Sequence, residues 1–228
     1  GPWFVCLSAY TAPVPNSRWI QDRQNFVSVY HQQLGLILGG GNTKLQPSWS
    51  NFTVGDTSLL AHRAGDENPD FRPRDKLVHV PSAATLAVEP QPELVLTYGP
   101  EECRMRVEVK DERTVALTLE ASCRGDLPVA AHLTLLPRLG QTLETAAGEK
   151  AVIADQAVSI PAERLGDWLR YAGCRIAVPP GASLDWPALP HNPYRKDGRA
   201  SPAEGRLVVR IPFDRQHLQQ QVTLTAEP

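Results

Sequence analysis

Short apolar runs, separated by glycine, proline and polar turns, follow one another along most of the chain. In the clearest stretch, residues 103 to 123, apolar side chains occupy every second position on both sides of a polar turn. Such alternation predicts strands with one buried and one solvated face. On this criterion the chain contains about thirteen strands: Trp3–Tyr10, Asn25–His31, Leu34–Leu38, Ser58–His62, Lys76–Val80, Glu93–Tyr98, Cys103–Lys110, Thr114–Ser122, Val129–Leu136, Ala151–Ala154, Cys174–Val178, Arg206–Ile211 and Gln221–Thr225.

Helical spacing occurs in one segment, Pro161–Ala172, where Leu165, Trp168 and Leu169 share a face and Gly173 follows as a stop signal. So many short strands fit two packed sheets better than one. We therefore predict an all-β fold, a large antiparallel two-sheet β-sandwich of the supersandwich type with at most one or two short helices.

The alternation between residues 103 and 123 also predicts a hairpin register. Pairing Val109 with Leu117 keeps the apolar faces together and sets Cys103 opposite Cys123. Opposite residues in antiparallel strands come within disulfide distance, so these cysteines form either a cross-strand disulfide or two buried thiols. No cysteine spacing suggests a zinc site, and we expect no bound metal of that kind.

The composition is that of a globular domain. The chain has 228 residues, 42% of them apolar, and a net charge of −2, which suits one domain spanning residues 3–228. Gly1 and Pro2 resemble the remnant of a cleaved tag, and Met105 is the only methionine. We therefore expect a fragment of a larger protein, with another domain upstream.

Charge and hydropathy argue against two classes of partner. The 23 basic and 25 acidic residues are spread along the chain and form no basic stripe, so nucleic acid is not an expected partner. No apolar run approaches the roughly 20 residues that a membrane-spanning helix requires.

Residues 18 to 54 are rich in side chains that bind sugars. Aromatic faces cover sugar C–H surfaces, while amide and charged groups bond hydroxyls and carboxylates. Because neighbours alternate along a strand, Tyr30 and His31 are predicted on opposite faces; His31 serves either a functional or a structural role. The candidate ligand-binding residues here are Trp19, Tyr30, His31, Asn42, Lys44 and Trp49.

A second polar segment, residues 186 to 198, has the prolines and aromatics of an ordered loop, and adds Asn192 and Tyr194 to the candidates. The loop serves in ligand contact, as a lid or in packing. The acidic stretch Asp66–Asp70 is either a solvated turn or a calcium site, the one cofactor we consider. Asn51-Phe52-Thr53 matches an N-glycosylation acceptor. The spacing identifies no catalytic residue.

The order of elements resembles the C-terminal β-sandwich of heparinase II/III-like polysaccharide lyases. The similar features are Phe26–Leu38 running into Gly39-Gly40-Gly41-Asn42, Leu94–Gly99 leading into the hairpin, and the loop at Asn192-Pro193-Tyr194. The resemblance implies a domain that contacts polysaccharide beside a helical toroid. The chain has no run of helices that could form that toroid, so catalysis by it alone is not expected.

Three functions follow as hypotheses. The first is a non-catalytic or partner-dependent domain of a carbohydrate-active protein that contacts poly- or oligosaccharide. The second is a structural or protein-interaction sandwich of a secreted or cell-surface multidomain protein. The third is a complete enzyme such as a sugar-ring epimerase, which requires a convergent set of His, Glu and Asp side chains. Secreted, periplasmic or cell-surface localisation is expected for the first two.

Overall fold

The computed structural model describes residues 1–9, 27–39, 46–57, 76–190, 192 and 194–227. These residues form eighteen strands, one short helix, α1 (Ala162–Leu165), and 3₁₀ turns at Pro47–Trp49 and Pro202–Glu204. In chain order the strands are β1 (Trp3–Leu7), β2 (Val27–His31), β3 (Gly35–Leu38), β4 (Phe52–Gly55), β5 (Leu77–Val78), β6 (Ala83–Ala87), β7 (Glu93–Tyr98), β8 (Glu101–Val109), β9 (Thr114–Ala121), β10 (Val129–Leu135), β11 (Thr142–Thr145), β12 (Lys150–Val152), β13 (Val158–Ile160), β14 (Trp168–Tyr171), β15 (Cys174–Ala177), β16 (Ser183–Ala188), β17 (Arg206–Phe213) and β18 (Gln219–Ala226).

The described strands form two antiparallel sheets of nine strands each. The first sheet has the order β1-β2-β3-β10-β17-β16-β13, with β4 pairing with both β10 and β5. The second sheet has the order β12-β11-β14-β15-β18-β9-β8-β7-β6. The predicted all-β, two-sheet sandwich with at most one or two short helices is therefore confirmed.

One apolar core lies between the sheets and draws side chains from both. On β10, Val129, Ala131, Leu133 and Leu135 point into this core. Their neighbours Ala130, His132 and Thr134 point to the opposite face and are nevertheless buried, because the segment around the Pro47–Trp49 turn contacts β10 there. The first sheet is thus covered on both sides in this region, which is where polar groups must find partners.

The predicted helix at Pro161–Ala172 is wrong over most of its length. The helix ends at Leu165, and Gly166 follows with a φ of 73°, a left-handed conformation that breaks the helix. A Cβ at Gly166 would lie 2.8 Å from the Cβ of Ala146. Beyond it, Trp168–Tyr171 forms β14, because pairing with β11 and β15 buries Leu169 and Tyr171 on one face.

The hairpin was predicted correctly in its faces but not in its register. Val107 pairs with Leu117, and Cys103 pairs with Ala121 rather than with Cys123. The difference of two residues leaves every side chain on its predicted face, since the side-chain period of a strand is two. Cys103 and Cys123 are both free thiols in this structure.

Most other predicted strands recur with ends shifted by a few residues. The prediction Ser58–His62 lies outside the described residues. The sequence analysis missed six strands, which are short or weakly alternating: β4, β6, β11, β13, β14 and β16. Within the described part of the chain, no helix is long and apolar enough to cross a membrane. Whether residues 3–228 form one domain of a longer protein stays a prediction.

Candidate functional site

The outer face of the first sheet carries a transverse row of polar side chains. On this face His132 of β10 lies opposite Arg210 of β17, which in turn lies opposite Ser183 of β16. On the other side of β10, the pairing of Ala131 with Phe52 extends by one residue to Asn51, whose carbonyl accepts a hydrogen bond from the His132 N–H. Directly opposite side chains in such a ladder are about 5 Å apart at Cβ.

His132 is buried and both of its ring nitrogens are engaged. Nδ1 lies 3.0 Å from the Ser48 carbonyl, and Nε2 lies 3.1 Å from the Thr53 hydroxyl. A carbonyl can only accept, so Nδ1 carries the proton and Nε2 accepts from Thr53. Burial and the nearby Arg210 charge together lower the pKa of His132 to about 4, against the opposing effect of the hydrogen bond to the Ser48 carbonyl.

Trp49 and Arg206 lie beside this row. The Arg206 guanidinium carbon is 4.9 Å from the centre of the Trp49 ring, a cation–π arrangement. Arg206 Nη1 donates to the Gly205 carbonyl at 2.8 Å, and Nε donates to the Gly39 carbonyl at 3.4 Å. Burial lowers the pKa of Arg206. Through this stacking, Arg206 of β17 holds the 3₁₀ turn that contains Trp49.

Three buried polar atoms in this region have no hydrogen-bond partner among the described residues. They are Nε1 of Trp49, Oδ1 of Asn51 and Nε of Arg210. Trp49 and Asn51 are 6% and 7% exposed, so their side chains have little access to water. An unpaired buried polar atom costs about 1–3 kcal/mol, and a group of them indicates a binding site or ordered water. We name Trp49, Asn51, His132, Arg206 and Arg210 the Arg210 cluster.

Cations on the outer face of the second sheet are arranged differently. Arg104 pairs with Glu93 at 3.2 Å and with Glu102 at 2.6 Å. Arg106, beside it, pairs with Glu93 and Glu120. Those cations are neutralised within the sheet. No carboxylate of the described residues forms an ion pair with Arg210.

The residues predicted to bind a ligand do not form one site. Trp49 belongs to the Arg210 cluster, but it is buried under Arg206 and is not an open platform for a sugar ring. Tyr30 is 39% exposed on the outer face of β2 and packs against Phe4, whereas His31 is buried; their predicted placement on opposite faces is confirmed. Trp19, Asn42 and Lys44 lie outside the described residues.

His31 lies at a separate, open groove of about 850 Å³ lined by Gly1, Pro2, Arg113 and Glu227 among others. Its ring packs edge-on against Trp3, with the ring centres 4.6 Å apart. Nδ1 accepts a long hydrogen bond of 3.3 Å from the Gln33 N–H. These contacts fit a histidine that supports the end of β2.

Asn192 and Tyr194 lie at the margin of the Arg210 cluster. Asn192 donates to a Glu204 carboxylate oxygen at 3.3 Å and accepts from the Tyr194 N–H at 3.0 Å. The Glu204 carbonyl accepts from Arg206 at 3.4 Å. Tyr194 is 76% exposed. The loop is therefore connected to the cluster through the turn at Pro202–Glu204.

Sequence reasoning missed four members of the cluster, and one signal was available. Within the predicted strand Arg206–Ile211, alternation places Arg206, Val208 and Arg210 on one face, an unusual pattern for a strand in the middle of a sheet. Asn51 was noticed only as a glycosylation acceptor. Because it is 7% exposed, its side chain is not accessible for that modification in the folded domain.

His132 is not arranged as a proton-transfer group. His132 has both nitrogens engaged, and no carboxylate of the described residues hydrogen-bonds to it. No group of three or more His, Cys, Asp or Glu side chains in the described ranges could hold a metal ion. The acidic stretch Asp66–Asp70 lies outside those ranges, so the calcium hypothesis stays a prediction.

Fold and site thus define an antiparallel two-sheet β-sandwich with a cationic cluster on one outer face. No family model matches the chain, and no curated protein matches it. Among solved structures, it is similar to a "Putative aldose 1-epimerase" from Escherichia coli K12, with 10% identity over 97% of this chain and 99% of that chain and a TM-score of 0.46. It is also similar to HI1317, with 10% identity over 96% of this chain and 99% of that chain and a TM-score of 0.36.

These comparisons correct the predicted resemblance. The structural neighbours are aldose 1-epimerase-like proteins and not heparinase II/III-like domains, and no family model or curated protein supports the lyase assignment. The supersandwich designation has no support either. The prediction followed the general order of strands and loops along the chain, which many β-sandwiches share without a common ancestor. At these identities and TM-scores, the likeness assigns neither substrate nor activity to this chain.

Proposed function

We propose that this chain is a saccharide-binding β-sandwich domain whose ligand lies against the Arg210 cluster. The observation that carries the proposal is the set of three buried, unpartnered polar atoms on Trp49, Asn51 and Arg210. Two of them are donors and one is an acceptor. Each sugar hydroxyl both donates and accepts, and Arg210, which is half-buried, is the residue of this set that a ligand can reach from solvent.

The rigidity of the site supports binding. His132 and Arg210 stand on adjacent central strands, and Arg206, which stacks on Trp49, is itself held by hydrogen bonds to three backbone carbonyls. Side chains held in this way lose little conformational entropy when a ligand binds. Arg210 is half-buried overall although its Nε is buried, so the rest of the residue keeps some contact with solvent.

The state of His132 supports binding over catalysis. A general acid or base works best with a pKa near the working pH and with a nitrogen free to reach the substrate. His132 has a pKa of about 4, and both of its ring nitrogens are hydrogen-bonded, one to Ser48 and one to Thr53. Its role in the proposal is to hold the row in place.

The experiment is a calorimetric titration of the domain with neutral and with acidic oligosaccharides. Arg210→Gln removes the charge and should weaken binding about tenfold or more, since a charge-assisted hydrogen bond contributes about 1.5–3 kcal/mol. Trp49→Phe removes the indole N–H together with one of the two fused rings and should weaken binding severalfold. The matched control is Arg175→Gln on the outer face of the second sheet, where Arg175 stacks 5.1 Å from the Trp168 ring.

If all three variants bind the saccharide as tightly as the wild type does, the Arg210 cluster is not the binding site. Absence of binding to every saccharide by the folded wild type would reject the function. Thermal unfolding of each variant checks that a loss of binding is not a loss of fold.

A second candidate function, self-association, is favoured by a separate observation. Phe4 of β1, Tyr30 of β2 and Leu36 of β3 are directly opposite one another and are 62%, 39% and 38% exposed. β1 is at the edge of the first sheet, and its sequence Trp-Phe-Val-Cys-Leu has no charge or proline to discourage pairing. An uncharged strand can pair antiparallel with a second copy of itself without repulsion.

Light scattering at increasing protein concentration tests this second function. A dimer that Phe4→Lys disrupts would support it, with Val109→Lys, an exposed apolar residue on β8 of the second sheet, as the control. A monomer at all concentrations would exclude self-association. Localisation outside the cytoplasm and contact with an upstream domain stay predictions.

A further inference from the structure

We infer that the ligand presents an oxyanion, a carboxylate or sulfate ester on a sugar, to Arg210. This inference rests on the proposed saccharide-binding function and adds the chemical class of the ligand. The argument depends on the balance of donors and charges in the Arg210 cluster.

Donors outnumber acceptors among the unsatisfied atoms. Arg210 has five N–H donors and no acceptor capacity, and no hydrogen bond to its guanidinium occurs within the described residues. The Trp49 indole adds one N–H donor, while Asn51 Oδ1 is the single unpartnered acceptor. A group of several oxygens that only accept hydrogen bonds fits this set better than a hydroxyl does.

The local charge is positive. Arg206 and Arg210 lie four residues apart on the same face of β17. The hydrogen bonds that Arg206 donates go to neutral carbonyls. Arg210 lowers the pKa of His132, and no carboxylate of the described residues forms an ion pair with Arg210. Asp185 shares the face, but it lies opposite Val208 and its carboxylate accepts a hydrogen bond from the Ser159 hydroxyl at 2.7 Å. The anion that would balance Arg210 is therefore absent from the described residues.

Arginine matches this chemistry in shape as well as in charge. Its planar guanidinium forms paired, parallel hydrogen bonds to carboxylate or sulfate oxygens. Nε of Arg210 is buried, and Arg210 as a whole is half-buried. A lysine at the same position would keep the charge but not the paired geometry.

The test compares ligands that differ only in the anionic group. Calorimetry measures binding of a hexagalacturonate, the same hexasaccharide after chemical reduction of its carboxyl groups, and a sulfated form of the reduced hexasaccharide. The wild type should bind at least one anionic form about tenfold more tightly than the reduced form. The ratio between the carboxylated and sulfated forms identifies which oxyanion fits.

Arg210→Gln should remove the preference for the anionic forms, because it weakens their binding about tenfold more than it weakens binding of the reduced form. Arg210→Lys should retain part of the preference, and Arg175→Gln should retain all of it. If the wild type binds the reduced and anionic forms equally, the inference is wrong and the saccharide-binding function stands. If the folded wild type binds none of the three, both fail.

Discussion

The buried His132 makes the stability of the domain depend on pH in a predictable way. Its pKa falls from an ordinary 6.5 to about 4 in the folded state, because burial disfavours the charged ring and Arg210 repels it. Between these two values the unfolded chain binds a proton that the folded chain does not. Stability contributed by neutral His132 is therefore complete above about pH 6.5 and declines as the pH falls toward 4.

The size of the effect follows from the same difference in pKa. Each pKa unit corresponds to about 1.36 kcal/mol, so His132 alone should remove roughly 3 kcal/mol from the free energy of unfolding between pH 6.5 and pH 4. His132→Gln deletes the titration while leaving an amide that can replace one of the two hydrogen bonds. The variant should be less stable than the wild type at pH 7, and the difference should shrink on acidification.

Urea unfolding followed by tryptophan fluorescence, at four values between pH 4 and pH 7.5, measures both proteins. The difference between them cancels the titration of other groups. His217→Gln is the control, since His217 is exposed and its contact with Asp214 is screened by solvent. A constant difference between wild type and His132→Gln across the range would refute the reasoning.

Three further predictions concern the rest of the fold. Glu101→Gln should lower the free energy of unfolding in urea by about 2–4 kcal/mol at pH 7 and by less below pH 4. The reason is that three hydrogen-bond donors to the buried carboxylate outweigh the effect of burial and lower its pKa. An unchanged unfolding midpoint would contradict this. Gly166→Ala should lower stability by about 1–3 kcal/mol in the same assay, given the φ of 73° and the contact with Ala146; a neutral effect would show that this turn relaxes. Of the four cysteines only Cys6 is exposed, so a thiol reagent should modify one thiol rapidly in the native state, and rapid modification of a second would contradict the burial.

The second sheet illustrates what local pattern predicts well. In β8 and β9 the apolar positions alternate without interruption, and one face must enter the core whatever the turn does. The prediction of faces was therefore correct even though the register was wrong by two residues. The turn at residues 110–113, where the Lys110 N–H bonds the Thr114 carbonyl, decides the register, and its four residues carry no strong turn signal.

The segment 161–172 illustrates the opposite case. Its spacing of Leu165, Trp168 and Leu169 suits a helix, but Gly166 adopts a left-handed conformation and β14 gains pairing with β11 and β15. Pairing with two neighbouring strands of the sheet overrides a local preference of this size. The same reason explains the missed strands, whose apolar residues are too few to identify them alone.

The sequence by itself determined the class of fold, the faces of the long strands and the absence of a basic stripe, because these depend on composition and on a period of two. Only the tertiary structure decided where chemistry is possible. Asn51, His132 and Arg210 are separated by about eighty residues at each step, and they become neighbours because β4, β10 and β17 pair side by side. A linear pattern records which face a residue takes, but not which residue stands opposite it.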